Sequence, residues 1–257
     1  MELIINLNNG VCEIKLNRPQ VFNSFNREMA IALQEALDSC ERNNEVRAIV
    51  ITGEGKAFCA GQDLSEVVDP EGPELQSIVR DHYNPIIERI RKIEKPIIAA
   101  VNGVAAGAGA NIALACDVTI AKKSASFIQA FSKIGLIPDS GGTFFLPRII
   151  GMQKALALMY TGDKVSAEQA EQLNMIYKAV DDDSFESKVR AFSETIAAMP
   201  TRGLGLTKKA VNESLSNNLS QQLALEEALQ TEAGQTYDFR EGVNAFLEKR
   251  KPVFRGE

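Results

Sequence analysis

The stretch AFSKIGLIPDSGGTFFLPRIIG, residues 130–151, carries one carboxylate, Asp139, between an apolar run and a pair of glycines. An acid set beside KIGLIP and Phe131 loses hydration, which disfavours its charged form. Its pKa then rises from about 3.9 toward the range where a carboxyl can take and return a proton near neutrality. Asp139 can serve in this way as a proton carrier, or it can cap the helix predicted to start at SGGTFF.

A second stretch, VNGVAAGAGANIAL, places Gly103, Gly107 and Gly109 between an apolar run and a series of small residues. If a helix starts there, its first-turn N–H groups are unpaired and its dipole favours an anion. The same spacing equally suits close packing of helix on strand. A dinucleotide fingerprint does not fit, because G-x-x-x-G-x-G is not G-x-G-x-x-G. The loop CAGQDL, residues 59–64, offers further backbone donors. Two such donors converging on one oxygen make an oxyanion hole, in which each donor is worth about 3–4 kcal/mol in acyl transfer.

These segments need elements to hold them. In VCEIKLN, Cys12, Ile14 and Leu16 alternate with Glu13 and Lys15, the period of a strand with one wet face, and RPQVFNS ends it. Met29, Leu33, Leu37 and Cys40 recur on one face of a predicted helix that leads to the apolar strand RAIVITG. The segment EGKAFCAGQDLSEVVDPEGPE reads as a long functional loop. A helix around LQSIVRDHYNPIIERIRKI, the buried strand KPIIAAVNG, a glycine-rich turn, a small-residue helix and the strand CDVTIA follow. This alternation predicts an α/β core with right-handed crossovers. After about residue 165 strand signals nearly stop. Ser166 and Gln169 have capping-box spacing, and three further amphipathic helices are predicted, including SQQLALEEALQTEAG.

The chain has 257 residues, 45% apolar and 24% charged, which describes a globular protein with enough core for one large domain or two small ones. A net charge of −6 argues against nucleic acid as a partner. Cys12, Cys40, Cys59 and Cys116 lack C-x-x-C spacing and there is one histidine, so free thiols in a reducing, cytoplasmic setting and no metal site are expected. No leader is evident in MELIINLNNGVCEIKL, and no apolar run reaches the roughly 18 residues of a membrane span.

NRPQVFNSF, AFCAGQDL, KPIIAAVNGVAAGAGANIALACDVTIA, FSKIGLIPDSGGTFFLPRIIG, ALALMYTGDKVSAEQAEQLNMI and EGVNAFLEKRKPVF together resemble the enoyl-CoA hydratase/isomerase, or crotonase, superfamily over essentially the whole chain. Within it, VNGVAAGAGA, AFSKIGLIPD, YNP and YDFREGV resemble the branch that isomerises 1,2-epoxyphenylacetyl-CoA in phenylacetate breakdown. The resemblance implies an α/β crotonase fold, with a spiral of repeated ββα units over residues 1–195 and a C-terminal helical trimerisation region over 196–257. It implies a homotrimer or dimer of trimers, with a complex with a related hydratase left open. The substrate is then an acyl-CoA thioester, with coenzyme A part of the substrate and no separate cofactor.

Carried over position by position, the resemblance puts the oxyanion donors on the backbone N–H groups of Gln62 and Ala108. It brings Ala60, Gln62, Asp63 and Leu64 to adenine or pantetheine, Phe246 and Lys249 to a neighbouring subunit's ligand, and Arg18 to a phosphate. Tyr83 is expected to line the acyl pocket, with Asn111 orienting substrate or water or else capping backbone; His82 reads as a packing or surface residue. Hydratases of the superfamily have two glutamates that hold and split a water, and those positions here are Asn111 and Phe131, neither able to move a proton. Asp139 matches the carboxylate position of several isomerase branches. The expectation is an acyl-CoA isomerase acting through Asp139, on the ring epoxide, on the 3-enoyl to 2-enoyl double-bond shift, or on both. A hydratase-like enzyme of fatty-acid catabolism and a catalytically silent subunit that binds CoA esters are the alternatives.

Overall fold

The computed structural model describes all 257 residues. Strand β1 (Leu3–Asn8) turns through Asn9 and Gly10, both with positive φ, into the antiparallel β2 (Val11–Leu16). Asn-Gly is the pair that such a two-residue hairpin favours. Helix α1 (Arg27–Arg42) starts where the Asn26 side chain accepts the Met29 N–H, and it buries Met29, Leu33, Leu37 and Cys40 as the spacing predicts.

Three ββα turns follow. The first is β3 (Ala48–Gly53), β4 (Ala57–Cys59), the short helices α2 (Leu64–Val68) and α3 (Leu75–Ser77), a π-helical stretch Ile78–Tyr83, and α4 (Asn84–Lys92). The second is β5 (Ile97–Val101), β6 (Val104–Ala106) and α5 (Ala108–Ala115). The third is β7 (Val118–Lys122), β8 (Ser126–Ile128), the 3-10 turn Ala130–Ile134, α6 (Gly142–Ile150) and α7 (Met152–Thr161). In each turn the first strand joins a six-stranded sheet of order β1-β2-β3-β5-β7-β10, and the second joins a four-stranded sheet of order β4-β6-β8-β9. Strands β9 (Lys164–Ser166) and β10 (Lys178–Val180) flank α8 (Ala167–Gln172), whose capping box joins Ser166 and Gln169 as predicted.

The second strand of each turn was hidden within what the sequence offers as loops. A three-residue strand is too short to display a period of two. The expected end of strands near residue 165 is also corrected, since β10 completes the large sheet by pairing with β7.

The main core lies between the sheets and helices α1, α4 and α5, and every residue of α5 is buried. The opposite face of the large sheet is covered by α9 (Phe185–Ala197), through Phe185 and Val189 against Val50, Ile98 and Ile120. The expected boundary after residue 195 therefore falls inside α9. All four cysteines are free and buried.

Helices α10 (Thr201–Glu213), α11 (Leu219–Ala233) and α12 (Tyr237–Leu247) complete the chain. Polar anchors dock this region: Arg47 donates to Met199 O, Thr201 Oγ1 and Phe254 O, and the buried Lys208 ammonium meets Asp117 Oδ2 at 2.8 Å. Helix α11 departs from the amphipathic reading, because it buries only Leu229 and leaves Leu219 and Leu223 exposed.

Candidate active site

Strands β4, β6 and β8 run parallel and adjacent, so the residues that follow them emerge at one edge of the small sheet. These residues are Ala60–Gln62, Gly107–Ala108 and Gln129–Phe131. Carboxyl ends of parallel strands are where open α/β sheets bind ligands.

The glycines of the second motif divide between the two readings of their spacing. A Cβ on Gly103 would lie 2.1 Å from Lys56 O, and one on Gly109 2.4 Å from Cys59 O, so both permit close packing. Gly107 has φ +54 and faces the Phe131 ring, making the turn that starts α5. Ala108 is thus the first residue of a helix, and its N–H has no intrahelical acceptor.

Gln62 forms an isolated parallel bridge with Phe25, in which Phe25 N donates to Gly61 O at 2.7 Å and Asp63 N donates to Phe25 O at 2.8 Å. The central residue of such a bridge turns its own N–H away from its partner strand, and the Gln62 N–H makes no hydrogen bond. The two turns touch: a Cβ on Gly61 would stand 3.6 Å from Ala108 N. Two unused backbone donors therefore sit on neighbouring turns.

Asp139 is tied to α5 through Asn111. The Asn111 side chain is fully buried; its Nδ2 donates to Asp139 O at 2.8 Å and its Oδ1 accepts from Gln129 Nε2 at 2.8 Å. Gly142 N also donates to Asp139 O, at 2.8 Å. Asn111 thus holds backbone that is 28 residues away in sequence, that of the carboxylate residue. Gly142 is required here, because a Cβ would fall 2.3 Å from Asn111 Nδ2.

The Asp139 side chain does not cap α6, whose N-cap is Gly141 without a side-chain hydrogen bond. Its Oδ1 accepts instead from Ser140 Oγ at 2.8 Å. Burial raises the Asp139 pKa, and the Ser140 hydroxyl offsets part of that rise. Of the KIGLIP residues expected to desolvate it, only Pro138 is half-buried beside it. Gly135, at φ +73, ends the 3-10 turn and the chain swings outward, leaving Ile134, Leu136 and Ile137 exposed. Phe131 remains buried against Gly107.

Tyr83 ends the π-helical stretch, fully buried, with its ring edge-on to Phe25 at 5.8 Å. Its hydroxyl donates to Gln62 Oε1 at 2.8 Å. Burial, with smaller contributions from the charges of Cys59, Asp139 and Glu66, holds its pKa well above the ordinary value. His82 is buried with Nδ1 unpaired, and burial lowers its pKa.

Asp63 caps α2 through the Ser65 N–H and meets Arg18 Nη2 at 2.9 Å. Arg18 also donates to Ser24 O and pairs with Glu2, so its guanidinium is engaged in the local fold. Ala60 N donates to Phe22 O at 3.0 Å, and Leu64 is exposed beside it. Phe246 and Lys249 stand exposed at the end of α12, beside Val243 and Leu247, and neither hydrogen-bonds a residue of this site. Gln129, Ser140 and Glu66 were not singled out in the sequence; only Glu66 left a trace, four residues after Gln62.

The family model for enoyl-CoA hydratase/isomerase matches residues 6–257. The chain is 48% identical over 261 residues to the 1,2-epoxyphenylacetyl-CoA isomerase of Escherichia coli K12, covering 100% of both chains. It is 36% identical over 265 residues to the trans-2-decenoyl-[acyl-carrier-protein] isomerase of Streptococcus mutans, covering 100% of this chain and 98% of that protein. A crystal structure of enoyl-CoA hydratase from Bacillus anthracis superposes with a TM-score of 0.93 at 33% identity, over 100% of each chain. The ββα spiral is thus the crotonase fold, and this chain belongs to the enoyl-CoA hydratase/isomerase family.

Proposed function

We propose that the protein is an acyl-CoA isomerase in which Asp139 moves a proton on a thioester whose carbonyl oxygen rests between the N–H groups of Gln62 and Ala108. The observation that carries this reading is the pairing of one desolvated carboxylate with two unused backbone donors, at an edge where Asn111 and Phe131 offer no second acid or base. In the double-bond shift, ionised Asp139 takes a proton from the α carbon of a 3-enoyl thioester. The C–H electron pair passes into a dienolate, whose negative oxygen the two N–H groups stabilise. Asp139 then returns the proton to the γ carbon and the 2-enoyl thioester forms. Atoms and charge balance without added water.

The same proton-carrying carboxyl suits rearrangement of a ring 1,2-epoxide of phenylacetyl-CoA to its oxepin isomer, the substrate favoured by the 48% identity to the Escherichia coli isomerase. In this reading, backbone around Ala60, Gln62, Asp63 and Leu64 receives the CoA moiety. The exposed apolar residues of α11 and α12 meet neighbouring subunits of a trimer, which brings Phe246 and Lys249 to a neighbour's ligand.

The test is mass spectrometry of a 3-enoyl-CoA incubated in deuterated water with the wild type and with Asp139→Asn. Double-bond migration without added water, lost in the variant, is expected. Water addition undiminished in the variant would return the protein to the hydratases. Tight thioester binding without turnover in either protein would make it a binding subunit.

A further inference from the structure

Gln62 is expected to act through its backbone, yet its side chain is held more firmly than that role alone requires. Oε1 accepts from the Tyr83 hydroxyl at 2.8 Å, and Nε2 donates to Glu66 Oε2 at 2.8 Å. Glu66 is fixed in turn, because its Oε1 accepts the Arg27 N–H at 2.9 Å at the start of α1. The clamp therefore joins α1, α2 and the π-helical stretch through one amide.

The peptide plane between Gly61 and Gln62 shows why a clamp is useful. Gly61 sits at φ +97, where a glycine turns easily. The Gly61 carbonyl, one edge of that plane, accepts from Phe25 N at 2.7 Å and, at the longer distance of 3.9 Å, from Cys59 Sγ. Both contacts fall on the carbonyl edge and leave the plane free to tilt about it. The N–H on the opposite edge needs further fixed points, and the Gln62 side chain supplies two of them, at Tyr83 and at Glu66. We infer that Tyr83 and Glu66 are positioning residues that aim the Gln62 backbone N–H by holding the Gln62 side chain.

The inference rests on the reading of Gln62 as an oxyanion donor, and it gives Tyr83 a role other than lining the acyl pocket. Aim matters because a hydrogen bond weakens steeply as its angle closes, and displacements near 1 Å at a reacting centre cost on the order of a hundredfold in rate. Tyr83→Phe and Gln62→Ala both leave the N–H in place and free it to wander. Each is expected to lower kcat/KM by on the order of tenfold.

The decisive readout is the carbonyl stretch of cinnamoyl-CoA, whose aromatic 3-position leaves no γ C–H to isomerise, recorded by isotope-edited infrared difference spectroscopy. The stretch is expected to fall on binding to the wild type and to Asp139→Asn alike. Tyr83→Phe and Gln62→Ala should each lose half or more of that fall, and the double variant should lose no more than the worse single one. If Tyr83→Phe does not fold, Glu66→Ala, on the half-buried face of α2, carries the same expectation. An undiminished fall in the single variants, or losses that add, would overturn the inference while leaving the oxyanion reading intact. No fall in the wild type would overturn the oxyanion reading itself, and the inference with it.

Discussion

Replacing Asn111 by aspartate changes one amide nitrogen to an oxygen, and should turn a contact indifferent to pH into one governed by it. In the wild type Nδ2 donates to Asp139 O at 2.8 Å, in a site where Asn111 has no exposed surface. In Asn111→Asp the new oxygen must carry a proton to keep that bond. Ionised, it would face the carbonyl oxygen at hydrogen-bond distance without water between them.

Burial and the carbonyl both disfavour the anion, so its folded-state pKa lies above the roughly 3.9 of the unfolded chain; Gln129 Nε2, donating to the other oxygen, offsets part of the rise. A group with a raised folded pKa contributes its full stability below the unfolded pKa, and loses it as pH rises through the folded value. Each unit of elevation costs about 1.4 kcal/mol at higher pH. An elevation of about two units, within the range for buried carboxyls, makes a loss of about 2.7 kcal/mol at pH 7 that shrinks toward pH 4. The assay is the difference in urea-unfolding free energy between variant and wild type across this range, in which the other titrating groups cancel. A difference that does not change with pH, or that grows toward acid, would refute the hydrogen-bond assignment.

Three further outcomes are expected. The proposed double-bond shift would need Asp139 as the anion, which burial disfavours, so kcat should rise with pH through a midpoint above the ordinary carboxyl value of 3.8; a profile falling across that range would assign Asp139 the acid role. Gly109→Ala places a Cβ 2.4 Å from Cys59 O, and overpacking of that kind should lower the urea midpoint by about 1–3 kcal/mol of stability, so an unchanged midpoint would contradict the packing of α5 on β4. Asp117→Asn leaves the buried Lys208 ammonium without its partner, an imbalance of about 3 kcal/mol. Lys208→Met should cost less, because Asp117 keeps Arg91 and the Ile97 N–H; the reverse order in denaturant melts would be evidence against this account.

Long periodic or wholly apolar segments were legible in the sequence. Met29, Leu33, Leu37 and Cys40 defined the inner face of α1, and the apolar runs before Gly53 and Gly103 were the buried strands β3 and β5. The three-residue strands were not, and they create the edge where the site forms. Asp139 stood out because it was alone, but the exposure of Ile134, Leu136 and Ile137 before it did not, since it follows from the left-handed Gly135 that ends the 3-10 turn. The link from Tyr83 to Gln62 spans 21 residues, and that from Asn111 to Asp139 spans 28. Separations of that kind arise from the stacking of successive turns and have no local pattern to betray them.

The crowding between Asn111 and Gly142 bears on how this lineage could change its chemistry. A glutamate at position 111, which the family resemblance ascribes to hydratases, would present acceptors to the Asp139 carbonyl where a donor is needed. Its extra methylene would press toward Gly142, which is already without room for a Cβ beside the shorter amide. In the proposed reading, a change of chemistry at position 111 therefore calls for coupled substitutions at both ends of that contact.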